Sequence, residues 1–88
     1  MTKEFITNYI DKKIREDENY IVCMFYDLRI KHDLSEDEVQ KFLELAKIRL
    51  ENMNYRVYFT GARYTYNNES RIVQDNELMV AICGRYCW

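Results

Sequence analysis

The chain has 88 residues, of which 48% are hydrophobic and 32% charged, with a formal net charge of −2 and no proline. This length predicts one domain, residues 1–88, and the composition excludes a disordered chain. The longest apolar run, Tyr20–Tyr26, is too short to span a bilayer, and the first residues lack the apolar core of a signal peptide. We therefore expect a cytoplasmic protein with no membrane contact.

The first two predicted elements are a helix and a strand. Apolar residues recur at three- and four-residue spacing from Thr2 to Glu16, behind a threonine that is an acceptable N-cap, which predicts a helix. From Tyr20 to Lys31 every even position is apolar, and the odd positions turn polar from Asp27 onward. This pattern predicts one strand that is covered on both faces in its first half and on one face in its second half.

A second helix is predicted from Ser35 to about Met53, with Asn52 and Asn54 ending it. Ser35 and Glu38 have the spacing of a capping box. The apolar stripe of the helix consists of Val39, Phe42, Leu43, Ala46, Leu50 and Met53. Two more apolar residues, Leu45 and Ile48, point away from this stripe. They are either scattered surface residues or a second contact surface, and the pattern leaves both readings open.

Two further strands are predicted, over Tyr55–Tyr66 and over Glu77–Cys83. Gly61 interrupts the first of them and marks a candidate bulge. A bulge would place Tyr64 and Tyr66 on the face of Tyr55, and a regular strand would place them on the opposite face with Tyr58. The last strand is apolar at every position from Leu78 onward, which predicts a central strand covered on both faces.

These elements predict an α+β fold with the order α-β-α-β-β. The sheet is expected to be small, three-stranded and mixed, in the order first, third, second, and packed against two helices. Either the helices cover opposite faces of the sheet, or both cover one face and a second copy of the chain or a bound target covers the other; we favour the second arrangement. The residues expected to be shielded in this way are Ile21, Cys23, Phe25, Met79 and Ala81.

The sequence contains no convincing catalytic or metal-binding motif. His32, Asp33 and Ser35 are of the residue types that form a hydrolytic triad, but a triad brings its members together from separate elements. These three instead lie in the loop that leads into the second helix. The acids that open this helix do not have the spacing of a calcium loop. Cys83 and Cys87 are too few for a zinc site alone, and His32 and Cys23, which could complete one, do not have the spacing of a usual zinc module. We therefore expect no enzymatic activity, no cofactor and no metal.

Tyrosine and arginine are concentrated on the second predicted strand and the turn that follows it. The residues are Tyr55, Arg56, Tyr58, Arg63, Tyr64, Tyr66 and Arg71. Both types are enriched at binding hot spots, because they combine a large contact area with a polar tip. Tyrosine is also a good strand former, which explains part of the pattern without function. We predict that the seven residues form a partner-binding site.

Because the basic excess in this region is small, protein is the first candidate partner and nucleic acid or a nucleotide the second. In its shortness, its lack of proline and its abundance of Asn, Tyr, Lys, Glu and Ile, the chain resembles the small orphan proteins of phages and prophages of low-GC bacteria. Inhibitors of bacterial defence, such as anti-CRISPR proteins, are among them. The resemblance implies a protein that occludes a larger bacterial protein. Self-association as a homodimer is the other expected partnership.

Overall fold

The computed structural model describes residues 2–86 and has the predicted α+β fold. The elements in chain order are α1 (Lys3–Glu16), β1 (Tyr20–Met24), a π-helical segment (Tyr26–Lys31), α2 (Glu36–Asn52), β2 (Tyr55–Phe59), β3 (Arg63–Tyr66), β4 (Glu69–Ile72), β5 (Glu77–Cys83) and a 3₁₀ turn (Gly84–Tyr86). Within residues 2–86, no helix has the length and apolar character needed to cross a membrane.

The strands form two sheets rather than the single predicted one. β5 lies between β1 and β2 and runs antiparallel to both, so the predicted mixed sheet is an antiparallel sheet in the order β1-β5-β2. β3 and β4 pair only with each other. The predicted strand over Tyr55–Tyr66 is divided at Gly61, which has a φ of 87° and lies in a turn closed by the bond from the Ala62 amide to the Phe59 carbonyl. The Val73 carbonyl accepts from the Gly61 amide and the Val73 amide donates to the Ala62 carbonyl, each at 2.9 Å, so two residues face one. Gly61 therefore marks a bulge, as predicted, and the turn beside it leads the chain away from the sheet.

The first strand is shorter than predicted, because its pairing partner ends. β5 starts at Glu77, opposite Met24, and beyond the bond from the Phe25 amide to the Asn76 carbonyl the chain has no ladder to join. Tyr26–Lys31 instead form the π-helical segment, in which Leu28 is fully buried. The alternating apolar pattern predicted a strand over this segment, and that prediction is wrong. Leu28 is its one buried residue, and the burial of Leu28 fixes how the segment is oriented.

Both helices pack on one face of the sheet, as predicted. Their buried side chains are Ile6, Ile10, Val39, Phe42, Leu43, Ala46 and Leu50. These pack against strand residues that we expected a partner to shield, namely Ile21, Cys23, Met79 and Ala81. All four are at most 1% exposed, so that expectation is wrong, because the helices of the same chain cover them. Of the expected set, only Phe25 is exposed, at 44%.

The helix ends follow the predicted local chemistry. The side chain of Thr2 accepts a hydrogen bond from the Phe5 amide. Both bonds of the capping box are present at Ser35, whose hydroxyl accepts from the Glu38 amide at 3.2 Å while the Glu38 carboxylate accepts from the Ser35 amide at 3.0 Å. Asn54, just beyond α2, has the left-handed φ of 67° that asparagine tolerates.

The apolar residues outside the main stripe of α2 have different environments. Leu45 is partly buried and packs against the core between the helices and the sheet. Ile48 is 56% exposed and Met53 is 43% exposed, Met53 because the helix ends one residue before it. Beside them, Arg49 donates to the Asp11 carboxylate of α1 at 2.8 Å. Leu45 therefore contributes to the main core, and Ile48 lies on the protein surface.

The other face of the sheet is covered by the β3–β4 hairpin. A second, smaller core on this side consists of Tyr64, Val73, Val80 and Ile82. Val80 and Ile82 alternate along β5 with Met79 and Ala81, which face the helices. β5 is therefore covered on both faces, as its sequence predicted, and one chain supplies both covers.

Candidate partner-binding face

Five tyrosine rings form a continuous row on the hairpin side of the sheet. We call this surface, formed by Tyr20, Tyr58, Tyr64, Tyr66 and Tyr86, the tyrosine face. Successive ring centroids are 5.6 Å apart between Tyr58 and Tyr64, 6.2 Å between Tyr64 and Tyr20, 5.0 Å between Tyr20 and Tyr66, and 6.3 Å between Tyr66 and Tyr86. These are the separations of favourable aromatic pairs.

Strand register places these rings on one side. Tyr20 and Arg56 lie opposite Ile82, and Tyr58 lies opposite Val80, so all three share the face of the smaller core. On β3, Tyr64 and Tyr66 point toward this core, and alternation turns Arg63 away from it.

The hairpin closes through a two-residue loop at Asn67 and Asn68, with φ values of 51° and 66°. Positive φ at both loop positions belongs to the type I′ turn, whose twist matches that of the flanking strands.

The centre of the tyrosine face is closed and its margins are open. Tyr64 is 4% exposed, and the other four tyrosines are half-buried. The hydroxyls of Tyr20 and Tyr64 share a hydrogen bond, with 2.6 Å between the oxygens. Burial, and then this bond, raise the pKa of Tyr20 to about 12, so the Tyr20 hydroxyl is protonated at neutral pH. The bond joins β1 to β3 and holds the hairpin over the sheet.

Arginines border the tyrosine face, and two of them are paired with acids. Arg71 lies opposite Tyr64 and donates to the Glu69 carboxylate at 2.7 Å, and this bond raises the pKa of the guanidinium. The Arg85 guanidinium lies 5.6 Å from the centroid of the Tyr86 ring and 3.5 Å from the Glu18 carboxylate. Both acids partly neutralise this border.

The structure brings together five of the seven residues predicted as a partner-binding site: Arg56, Tyr58, Tyr64, Tyr66 and Arg71. Tyr55 lies on the helix side of the sheet, is 8% exposed, and donates its hydroxyl to the Glu18 carbonyl at 2.6 Å. Arg63 lies on the outer surface of the hairpin, where it donates to the Ser70 hydroxyl at 3.3 Å. Neither residue belongs to the tyrosine face.

Sequence reasoning missed Tyr20 and Tyr86. Tyr20 is the first of the even-numbered residues of β1, and these residues face the hairpin. The sequence pattern therefore gives the side of Tyr20 once the structure shows which face of the sheet the hairpin covers. Tyr86 lies in the 3₁₀ turn after β5, and no periodic pattern indicated where that turn packs. Beyond it, Cys87, part of the zinc set considered above, lies outside the described residues.

A second group of polar residues surrounds an open cavity of about 390 Å³ between α1 and the π-helical segment. The Tyr9 hydroxyl donates to the Asp27 carboxylate, and burial raises the pKa of Tyr9 above its ordinary value. His32 Nε2 and Lys31 Nζ lie 3.8 and 3.9 Å from Asp27 Oδ1. Asp27 is thus the centre of contacts that join the π-helical segment to α1, and we interpret the group as structural. That the chain is not an enzyme stays a prediction.

Those of the residues considered for metal binding that the structure describes are not assembled into a site. Across residues 2–86, no group of three or more His, Cys, Asp or Glu side chains has the geometry to hold a metal ion. Cys23 is fully buried on the helix side, and this burial raises the pKa of its thiol to about 12. The Ser35 hydroxyl is engaged as an N-cap, so it has the role in the helix that its spacing predicted.

Comparison of the chain with protein-family models, with curated proteins and with solved structures finds no match. The function is therefore argued from the geometry of the molecule.

Proposed function

We propose that the protein is a small non-enzymatic binding module that occupies a larger protein partner through the tyrosine face. The observation that carries the proposal is the row of five tyrosine rings, four of them half-buried, bordered by arginines. Tyrosine gives a large contact area at low conformational cost, and its hydroxyl supplies a polar contact. The resemblance to phage and prophage proteins extends the proposal to an anti-CRISPR-like inhibitor that acts by occlusion.

The tyrosine face is pre-organised, which supports binding. The Tyr20–Tyr64 hydroxyl bond holds the hairpin on the sheet, and the type I′ turn fixes the direction of its strands. Arg71 is held by Glu69 at 2.7 Å. Side chains that are ordered before binding lose less conformational entropy when a partner docks, so more of the contact energy remains as affinity.

A pair of matched variants tests the proposal. Tyr66→Ala with Arg56→Ala removes one half-buried ring of the tyrosine face and one exposed arginine on the same side of the sheet. Tyr26→Ala with Arg15→Ala removes the same residue types from exposed positions outside it. Immobilised wild-type and variant proteins are used to capture partners from a bacterial lysate, after circular dichroism confirms that each is folded. We expect a partner that the wild type and the control retain and the face variant loses. A face variant that captures every partner equally well would contradict the proposal.

The second candidate is a nucleic-acid or nucleotide-binding module that uses the same rings to stack bases. The half-buried rings favour it, but the pairing of Arg71 with Glu69 and of Arg85 with Glu18 leaves fewer free positive charges for phosphates. Fluorescence anisotropy with short single strands at two salt concentrations separates the two functions. Binding that weakens steeply with salt would support nucleic acid, and no binding at low salt would leave protein as the partner.

A further inference from the structure

A groove lies at the end of the sheet where β1 and β2 finish and β5 begins. Two open cavities of about 430 and 400 Å³ meet there and share Gln40 and Leu78 as lining residues. The floor of the combined groove is apolar and contains Phe25, Leu78 and Phe59. Phe25 is 44% exposed and Phe59 37% exposed, so two aromatic side chains of the floor are accessible to a partner.

The strand register produces this apolar floor. Cys23 pairs with Met79 and Met24 with Glu77, so Leu78 is an extra residue in β5 with no partner on β1. Such a bulge redirects a side chain, and Leu78 accordingly packs toward the helix-side core. Phe25 follows the last residue of β1, and Phe59 is the last residue of β2. The groove therefore arises where three strands end or bulge together.

The rim of the groove is acidic. Glu36 and Asp37 lie in the first turn of α2, and Glu44 lies farther along the same helix; all three are exposed. The one base that lines the groove is Arg29, which is 3.6 Å from the Glu36 carboxylate and 5.9 Å from the Phe25 ring centroid. The lining thus contains three acids and one base, so its formal charge is −2.

We infer that this groove docks a basic amphipathic helix of a partner protein, with an apolar stripe on the aromatic floor and lysines or arginines against the rim. Helices of this kind bind apolar grooves through a few anchoring side chains, and opposite charges at the rim accelerate and orient binding. A second copy of the chain does not suit the groove, since a symmetric contact would bring two identical acidic rims together. The groove is distinct from the tyrosine face, so either site can fail alone.

The test uses three labelled peptides and fluorescence anisotropy. The first is a leucine–lysine peptide with leucines at helical spacing, the second has the same composition in scrambled order, and the third carries glutamate in place of lysine. We expect the first to bind, the other two to bind at least about tenfold more weakly, and added salt to weaken binding. Equal binding of the first and scrambled peptides would overturn the inference, because it would show attraction of charge without a docking groove.

Matched variants locate the binding. Phe25→Ser and Phe59→Ser are each expected to weaken the leucine–lysine peptide about tenfold or more, since each removes an aromatic anchor. Tyr26→Ser, at the adjacent and more exposed position, is the control and should leave the affinity unchanged. Asp37→Asn with Glu44→Gln should reduce the salt dependence, whereas Glu51→Gln on the same helix should not. Full affinity in both phenylalanine variants, or a wild-type dimer in sedimentation that Phe25→Ser abolishes, would overturn the inference.

Discussion

Cys23 connects burial to the alkaline stability of the protein. Its thiol is fully buried, and burial raises its pKa from 9.0 to about 12. A pKa raised by folding means that the protonated thiol stabilises the fold fully below pH 9 and that this contribution is lost as the pH rises through about 12. Burial also raises the pKa of Tyr20, from 10.0 to about 12. The stabilisation by its protonated hydroxyl therefore starts to fall one pH unit higher than that by the Cys23 thiol.

We therefore predict that the urea midpoint of unfolding is constant between pH 7 and about 9 and falls above it. In Cys23→Ala the fall should start about one pH unit higher, because Tyr20, whose pKa folding raises from 10.0, then sets the onset. The measurement is urea unfolding followed by far-UV circular dichroism at closely spaced pH values. Tyr20→Phe is the matched control, since it removes a phenol but leaves the onset set by Cys23. An unchanged onset in Cys23→Ala would contradict this account.

Residue-level inference from the sequence succeeded where the chemistry is local. The bonds between Ser35 and Glu38 depend on four adjacent residues, and the positive φ of Asn54 depends on the residue type at a helix end. Tyr55 and Tyr64 belong to the same residue type and neighbouring strands, yet they are buried on opposite faces of the sheet. Their sides depend on the combined turn and bulge at Gly61, whose geometry a sequence pattern does not specify.

At the scale of elements, α2 offers a direct test of its N-terminal cap. Ser35→Ala should reduce the free energy of unfolding by about 1 kcal/mol, because the Glu38 amide loses its acceptor. Ser35→Asp, which retains an acceptor at the same position, should restore most of this loss. Urea unfolding at pH 7 measures both, and an equal loss in the two variants would mean that the cap is not the cause.

Helices and the central strand were predictable, and the short strands were not. Each helix has several turns of consistent periodicity, and Glu77–Cys83 is apolar enough that only a central position hides it. In contrast, β4 is exposed along its whole length, so no burial pattern reveals it as a strand. The π-helical segment was not predicted, because its conformation depends on where β5, which is distant in sequence, starts at Glu77.

Seen as a whole, the molecule has two cores that share one three-stranded sheet. The helices close the larger core, and the β3–β4 hairpin closes the smaller one through Tyr64 and Val73. The reason for expecting a partner on an open sheet face is thereby removed, since each face is covered by the same chain. The two surfaces proposed for partners are the outer margin of the tyrosine face and the acidic groove, and these lie on different parts of the molecule.

Because Tyr64 packs between the hairpin and the sheet, we expect its substitution to change both stability and self-association. Tyr64→Phe removes only the hydroxyl bond to Tyr20 and should cost about 1 kcal/mol of stability. Tyr64→Ala removes the 4%-exposed ring from the smaller core and should cost about 3–5 kcal/mol, the usual range for a large buried aromatic. It should also loosen the hairpin, uncover Val80 and Ile82, and cause self-association that sedimentation velocity detects at micromolar concentration. Tyr26→Ala, at a 65%-exposed position, should change neither quantity. If Tyr64→Ala is monomeric and as stable as Tyr64→Phe, the hairpin does not close this face of the sheet, and the prediction is wrong.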